Sequence, residues 1–227
     1  QSGPGEIRLV LPYEEVRDFF LYTNGYLEPL DDEGEKLARN LRALEGRPMA
    51  SLLDYLTTRH KLDVVFENES DLSADSVIRR VHGTIYLRRG IDESSAAFLL
   101  ATQVGLIEHS QLLDTLIASA KFQTKDAEAL CRMALANYFA AAVLLPYSTF
   151  QPLARTLRHD VEKLALRFGA SIEQVMHRLS TLQRAGARGV PIYFAKLDAA
   201  GNVIKRHSAN RFRFGRFAGT CPLWNVH

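Results

Sequence analysis

Phe98-Leu-Leu-Ala-Thr-Gln-Val-Gly-Leu-Ile107 is the stretch on which the architecture of this 227-residue chain turns. Phe98, Thr102 and Leu106 fall at i, i+4 and i+8, so they share one helix face. On periodicity alone a plain core helix accounts for the run, because apolar side chains at this spacing are usually packing. A second phrase at a suitable distance shifts the balance: Ala136-Asn-Tyr-Phe-Ala-Ala-Ala-Val-Leu-Leu-Pro146, a helix stopped by proline.

The first phrase is similar to the zinc-peptidase helix F-x-L-A-H-E-x-G-H, in which two histidines one turn apart hold the metal and the glutamate activates its water. Thr102, Gln103 and Leu106 occupy those three places here. Leucine has no donor atom, and neutral Thr and Gln oxygens hold zinc poorly. Together the two phrases resemble the signature helices of the ImmA/IrrE metallopeptidase fold, the second read there as E-x-x-A-N-x-F-A-x-x-L-L-M-P. An acidic residue shortly before A-N completes that family's metal site. Cys131 to Leu135 contains neither Asp nor Glu. Gly105-Leu-Ile-Glu-His109 would be an inverted H-x-x-E-H only with His in place of Gly105. No metal is therefore expected, and the cleft becomes mostly apolar around one hydroxyl, suited to a small aliphatic group.

Working outward, amphipathic helices are expected over Glu14–Leu21, Asp31–Leu44 and Pro48–His60. Short alternating runs at Leu62–Phe66, Val77–Val81 and Thr84–Leu87, with His82-Gly83 as a turn, predict a small antiparallel sheet. Helices follow from Glu93 to about Ala120, broken near Glu108–Ser110, and from Asp126 to Leu145. Shorter ones are expected at Thr149–Leu157, Val161–Phe168 and Ser171–Leu182. Val190–Leu197 and Val203–Ser208 flank a hairpin signal. The fold class is α+β: a helical body, a small antiparallel sheet within a degenerate zincin-like core, and a C-terminal β region. Residues 1–12 read as a linker remnant, 13–183 as a helical body with a degenerate peptidase-like core, and 184–227 as a basic β region.

Composition is that of a globular domain, with 47% apolar and 24% charged residues. No apolar run approaches the roughly 18 residues of a membrane span, and two widely separated cysteines exclude a disulfide framework. That usage fits a reducing cytoplasm. The net charge of +2 hides an asymmetry. Tyr13 to Asp75 holds 15 acidic against 7 basic residues, whereas Arg184 to Arg216 holds 8 basic and only Asp198 opposing them. Arg211 and Arg213 alternate with Phe212 and Phe214, placing guanidinium groups on one strand face and rings on the other. The bland reading is a solvated basic face over aromatic packing. The functional readings are nucleic acid or a phosphorylated ligand. His159–Leu182 resembles a helix-turn-helix, but Asp160, Glu162 and Glu173 oppose phosphate, and a buried helical hairpin is the better reading.

Pro12-Tyr-Glu-Glu-Val-Arg-Asp18, Leu135-Ala-Asn-Tyr-Phe-Ala-Ala-Ala142, His177-Arg-Leu-Ser-Thr-Leu-Gln-Arg184, Arg188-Gly-Val-Pro191 and Gly219-Thr-Cys-Pro-Leu-Trp-Asn-Val226 resemble the short-chain fatty acyl-CoA regulators of actinobacteria. The likeness covers nearly the whole chain and is nearer to the propionate regulators than to the glyoxylate-cycle ones. It implies an acyl-CoA ligand such as propionyl-CoA and no enzymatic activity. It also implies a cytoplasmic homodimer, DNA contact through an N-terminal helix-turn-helix domain not in this chain, and an iron–sulfur cluster confined to a C-terminal module beyond it. Coenzyme A needs cations for its phosphates, rings for adenine and an apolar slot for the acyl group. Arg178, Arg184, Arg188, Lys205 and Arg206 are the phosphate candidates by charge, and Arg17 joins them by its family phrase. Phe98, Thr102, Leu106 and Tyr138 are the acyl-end candidates. Competing readings are a metallopeptidase, an acyl-CoA hydrolase using Ser110 beside His109, and direct nucleic-acid binding by the basic segment.

Overall fold

A computed structural model of the chain describes residues 11–41, 48–68, 77–198 and 203–208, the last as backbone alone. Three helices come first: α1 (Pro12–Tyr22), α2 (Glu28–Leu41) and α3 (Pro48–His60). They lead into β1 (Asp63–Glu67), β2 (Ile78–Val81) and β3 (Thr84–Arg88). The helical body continues with α4 (Glu93–Glu108), α5 (Ser110–Ala120), α6 (Lys125–Leu144), α7 (Tyr147–Thr156), α8 (Val161–Phe168) and α9 (Ile172–Ser180). A hairpin of β4 (Tyr193–Leu197) and β5 (Val203–Ser208) follows.

Local chemistry sets most of these boundaries. Asp92 caps α4 by accepting from the Ser95 amide at 2.9 Å, and Thr124 caps α6 through the Ala127 amide at 3.1 Å. Pro146, lacking an amide hydrogen, follows the end of α6. Gly169 takes a left-handed conformation (φ 60°) to close α8, and a reciprocal Ser171–Gln174 capping box opens α9.

The sheet order is β1-β3-β2. β2 and β3 form the antiparallel hairpin expected around His82-Gly83, but β1 lies parallel to β3, so the sheet is mixed rather than antiparallel. Apolar alternation selects a face and is indifferent to strand direction. Ile85 and Leu87 of β3 are fully buried in the larger core, which also takes in residues of α3, α4 and α6. A second, smaller core joins α7, α8 and α9 through Phe150, Leu164, Val175 and Leu179. The expected helical hairpin at 159–182 is therefore packed as α8 and α9, and Lys196 of β4 pairs with Glu173 of α9 at 2.7 Å.

α6 is central to the body. Its length and hydropathy would suffice to cross a membrane, but 56% of that apolar window is buried within the fold, as in a core helix. α2 crosses it closely at Gly34, where an added Cβ would stand 2.6 Å from Ala142 Cβ. The Arg211–Phe217 alternation lies outside the described residues.

Candidate functional site

α4 and α6 meet where a zinc site would stand in a peptidase. Thr102 is almost fully buried. Its hydroxyl lies 2.9 Å from the Phe98 carbonyl, to which it donates, and 3.2 Å from Asn137 Oδ1 on α6. Phe98 and Leu106 are half-buried on the same α4 face. Gln103 is buried, and at Gly105 an added Cβ would meet the Phe139 ring at 2.8 Å. A hydroxyl already committed to a backbone carbonyl, a neutral amide and an alkyl chain do not fit a zinc ion. Among the described residues, no group of three or more His, Cys, Asp or Glu could hold a metal. Cys131, buried in α6, has its thiol pKa pushed up to about 12 by burial, so it stays protonated at neutral pH.

The histidine beside this helix is committed to packing. His109 sits between α4 and α5 with its ring 4.7 Å from that of Phe139, and burial lowers its pKa. The preceding Glu108 takes three donors on Oε1: Tyr55 at 2.7 Å, His60 at 2.8 Å and Arg59 at 2.9 Å. Desolvation works to raise the pKa of Glu108, but these hydrogen bonds outweigh it and hold it below the usual range. This cluster ties α3 to the end of α4.

Tyr138 does not face the Thr102 pocket. Its hydroxyl donates to Asp31 Oδ2 on α2 at 2.7 Å and accepts from the Leu27 amide at 3.1 Å. This corrects the acyl-end assignment, because one helix position separates Tyr138 from Asn137, about 100° of rotation. Asn137 is the residue that charge and apolar patterning missed. It stands inside the quoted Ala136-Asn phrase, and a polar side chain between buried Ala136 and Tyr138 was the available signal.

Arg178 is likewise not a phosphate ligand in this arrangement. It is fully buried on α9. Nη1 and Nη2 donate to the two oxygens of Asp31 at 2.9 and 2.8 Å, and Nε donates to the Leu145 carbonyl at 2.8 Å. The guanidinium thus neutralises a buried carboxylate with a two-pronged bond and satisfies the carbonyl left open at the end of α6. Burial alone would lower its pKa; the adjacent Asp31 charge and hydrogen bonds raise it instead. Burial raises the pKa of Tyr138 well above normal, which keeps it a donor to Asp31.

Arg184 extends the same junction. Its Nε donates to Tyr26 Oη at 2.8 Å, and Nη2 lies 3.3 Å from Glu35, 3.4 Å from Asp32 and 3.7 Å from Asp31. Its guanidinium carbon also lies 4.3 Å from the centre of the Tyr147 ring. These carboxylates already meet its charge, so it too is corrected from open cation to structural tie. Desolvation raises the Glu35 pKa, but bonds from the Ser148 amide and Arg184 prevail and hold it low. Glu35 also caps α7 through that Ser148 amide.

Arg188 and Arg17 are more open. Arg188 is exposed after α9, and Arg17 is half-buried on α1 beside Asp18 at 3.3 Å. Lys205 and Arg206 lie on β5, where they pair in register with Lys196 and Ala195. The structure brings Phe98, Thr102 and Leu106 together on α4, and brings Arg178 and Arg184 together at Asp31.

A helical core of this kind, with its two signature helices in contact and no metal-holding side chains at their junction, defines a class. Residues 58–180 match the IrrE N-terminal-like domain, and residues 181–227 match the C-terminal region of the short-chain fatty acyl coenzyme A regulators. The chain belongs to the short-chain fatty acyl coenzyme A regulator family, built on an IrrE-like domain.

It is 46% identical over 218 residues to the propionyl-CoA carboxylase regulator of Cereibacter sphaeroides, covering 95% of this chain and 45% of that protein. To the HTH-type transcriptional regulator PrpR of Mycobacterium tuberculosis it is 40% identical over 220 residues, covering 96% and 45%. A solved Mycobacterium tuberculosis transcriptional regulator superposes with a TM-score of 0.88 at 37% identity, covering 96% of this chain and 66% of the other. The chain spans about half the length of the curated relatives it matches.

Proposed function

We propose that this chain is the sensor domain of a cytoplasmic, homodimeric transcriptional regulator of propionate and short-chain fatty acid metabolism, and that it binds a short-chain acyl-CoA without turning it over. The observation that carries the reading is a peptidase helix pair retaining its frame while Thr102, Gln103 and Leu106 stand where metal chemistry requires His, Glu and His. The names of the matching family and relatives support it from a second direction. Phe98, Leu106 and Thr102 with Asn137 serve the acyl end. Arg17, Arg188, Lys205 and Arg206 serve the phosphates, since Arg178 and Arg184 are held by carboxylates. Ligand binding regulates DNA affinity only to the extent that acyl-CoA binds two arrangements of the protein unequally. DNA contact is assigned to a helix-turn-helix domain outside these 227 residues, and an iron–sulfur cluster to a module that also lies outside them.

Isothermal titration with propionyl-CoA and with free coenzyme A tests this. One site per chain is expected, with Arg17→Ser and Arg188→Ser each weakening it about tenfold, the scale of one lost charged hydrogen bond. Absence of heat at millimolar ligand, with the protein folded by circular dichroism, removes the proposal.

A further inference from the structure

The two halves of α6 differ in what covers them. From Leu135 to Val143 every side chain except Asn137 is buried. In the first half Asp126, Ala129, Leu130 and Met133 are exposed, Leu130 at 48% and Met133 at 44%. They fall at i, i+3, i+4 and i+7, so they form one bare stripe along the helix, apolar at its centre. Beside this stripe a groove of about 360 Å³ runs between α5 and α6. Ile117 and Ala118 line it, together with two acids, Asp114 and Glu128, and two bases, Lys125 and Arg132. The groove is therefore neutral overall. Its charges meet in exposed pairs: Lys125 with Glu128 at 2.8 Å, the Lys125 side chain 90% exposed, and Arg132 with Asp114, the latter 61% exposed. Pairs this open contribute little to folding, so a second partner can share each charge at small cost.

We propose that the first half of α6 is the surface on which a second copy of this chain docks, antiparallel across a twofold axis at Leu130. The inference rests on the homodimer reading above and names its interface. A twofold contact sets a patch against itself, so each charge must find its opposite on the same surface. Glu128 and Arg132 stand two residues to either side of Leu130 and share one flank of the helix, a turn apart. In an antiparallel pair centred on Leu130, Glu128 of each copy meets Arg132 of the other. Leu130 packs on its counterpart, Met133 extends the apolar strip, and the small Ala129 lets the helices close. The balance of signs also selects the occupant. A neutral patch offers no net field to nucleic acid or to a protein tail of one sign. An apolar centre with a mixed-charge border is instead the anatomy of a protein–protein contact.

The test is sedimentation velocity of this chain from micromolar to hundred-micromolar concentration. A concentration-dependent dimer is expected. Glu128→Arg and Arg132→Glu should each weaken it about tenfold or more, because each homodimer then sets like charges against each other twice. An equimolar mixture of the two variants should recover wild-type assembly as a heterodimer, since every facing pair is again of opposite sign. Met133→Asp should weaken the dimer as well, with thermal melting unchanged in all three variants. Recovery in the mixture is a result that a purely structural role of either residue would not give. The interface is overturned by a dimer indifferent to all three substitutions, or by a mixture that assembles no better than either variant alone; in both cases the homodimer reading stands. A chain that stays monomeric throughout overturns the interface and the homodimer reading together, and leaves acyl-CoA binding to the titration above.

Discussion

Asn137 and Tyr138 are neighbours on α6, and the helix sends them to two unlike places. Asn137 faces Thr102, where neutral polar groups sit in an otherwise apolar setting. Tyr138 faces Asp31 and Arg178, where opposite charges are buried together at zero exposure. In the first place, chemistry has been taken out and little strain is left behind, because Thr102 satisfies itself on its own helix. In the second, polar chemistry has been kept, and every member depends on partners from other elements. Removing a side chain should cost little at one and much at the other.

The largest expected effect is at Asp31. Asp31→Ala strands the buried Arg178 guanidinium and should cost about 3–5 kcal/mol in urea unfolding. The double change Asp31→Leu/Arg178→Met should recover most of that loss, because it removes both charges instead of one. If the single and double variants unfold at the same urea concentration, the junction is not an electrostatic unit.

Gly34 tests the same crossing by shape. A methyl group there meets Ala142 Cβ at 2.6 Å and the Ala142 carbonyl carbon at 3.0 Å, and helix backbone cannot swing aside. Gly34→Ala should lose about 1–3 kcal/mol by overpacking, after any gain in helix propensity. At Gly105 the obstacle is the Phe139 ring, a side chain free to tilt. Gly105→Ala should therefore be the milder of the pair in thermal melts.

The two places also differ in how far they could be read from the chain. Thr102, Gln103 and Leu106 are consecutive-turn neighbours, so their meaning was local and the phrase exposed it. Pro48–His60 was found with both boundaries because proline starts that helix and local periodicity carries it to its end. The Arg178–Asp31 bond joins residues 147 apart in sequence, and a charge count treats every arginine as solvated. One sign was present: Val175, Arg178 and Leu179 form a single helical stripe, so Arg178 occupies an apolar face. The parallel placement of β1 had no such sign, since reversing a strand leaves its alternation intact.

Asp92 supplies a smaller, pH-dependent contrast at the start of α4. Hydrogen bonds from Ser94 and Ser95 lower its pKa from 3.8 to about 2. A carboxylate depressed in the folded state stabilises above its unfolded value and loses that contribution as pH falls through its folded value. Asp92→Ala should thus cost about 1 kcal/mol at pH 7, the usual worth of a helix cap. The difference from wild type should shrink between about pH 4 and about pH 2. A gap that stays constant over that window would show that the cap acts without its charge.

The smallest effect should be at Thr102. Thr102→Val keeps the branched shape and removes only the hydroxyl, whose bond to the Phe98 carbonyl duplicates a helix acceptor that the backbone already serves. Half-buried Asn137 can turn its amide to water, so less than about 1 kcal/mol should be lost. Acyl-CoA affinity should respond more strongly than stability, because the hydroxyl and Asn137 are the polar pair at the proposed acyl end. A variant that binds propionyl-CoA like wild type but unfolds several kilocalories earlier would reverse the contrast between Asn137 and Tyr138: the vacated metal frame would then be a structural keystone and the guest would lie elsewhere.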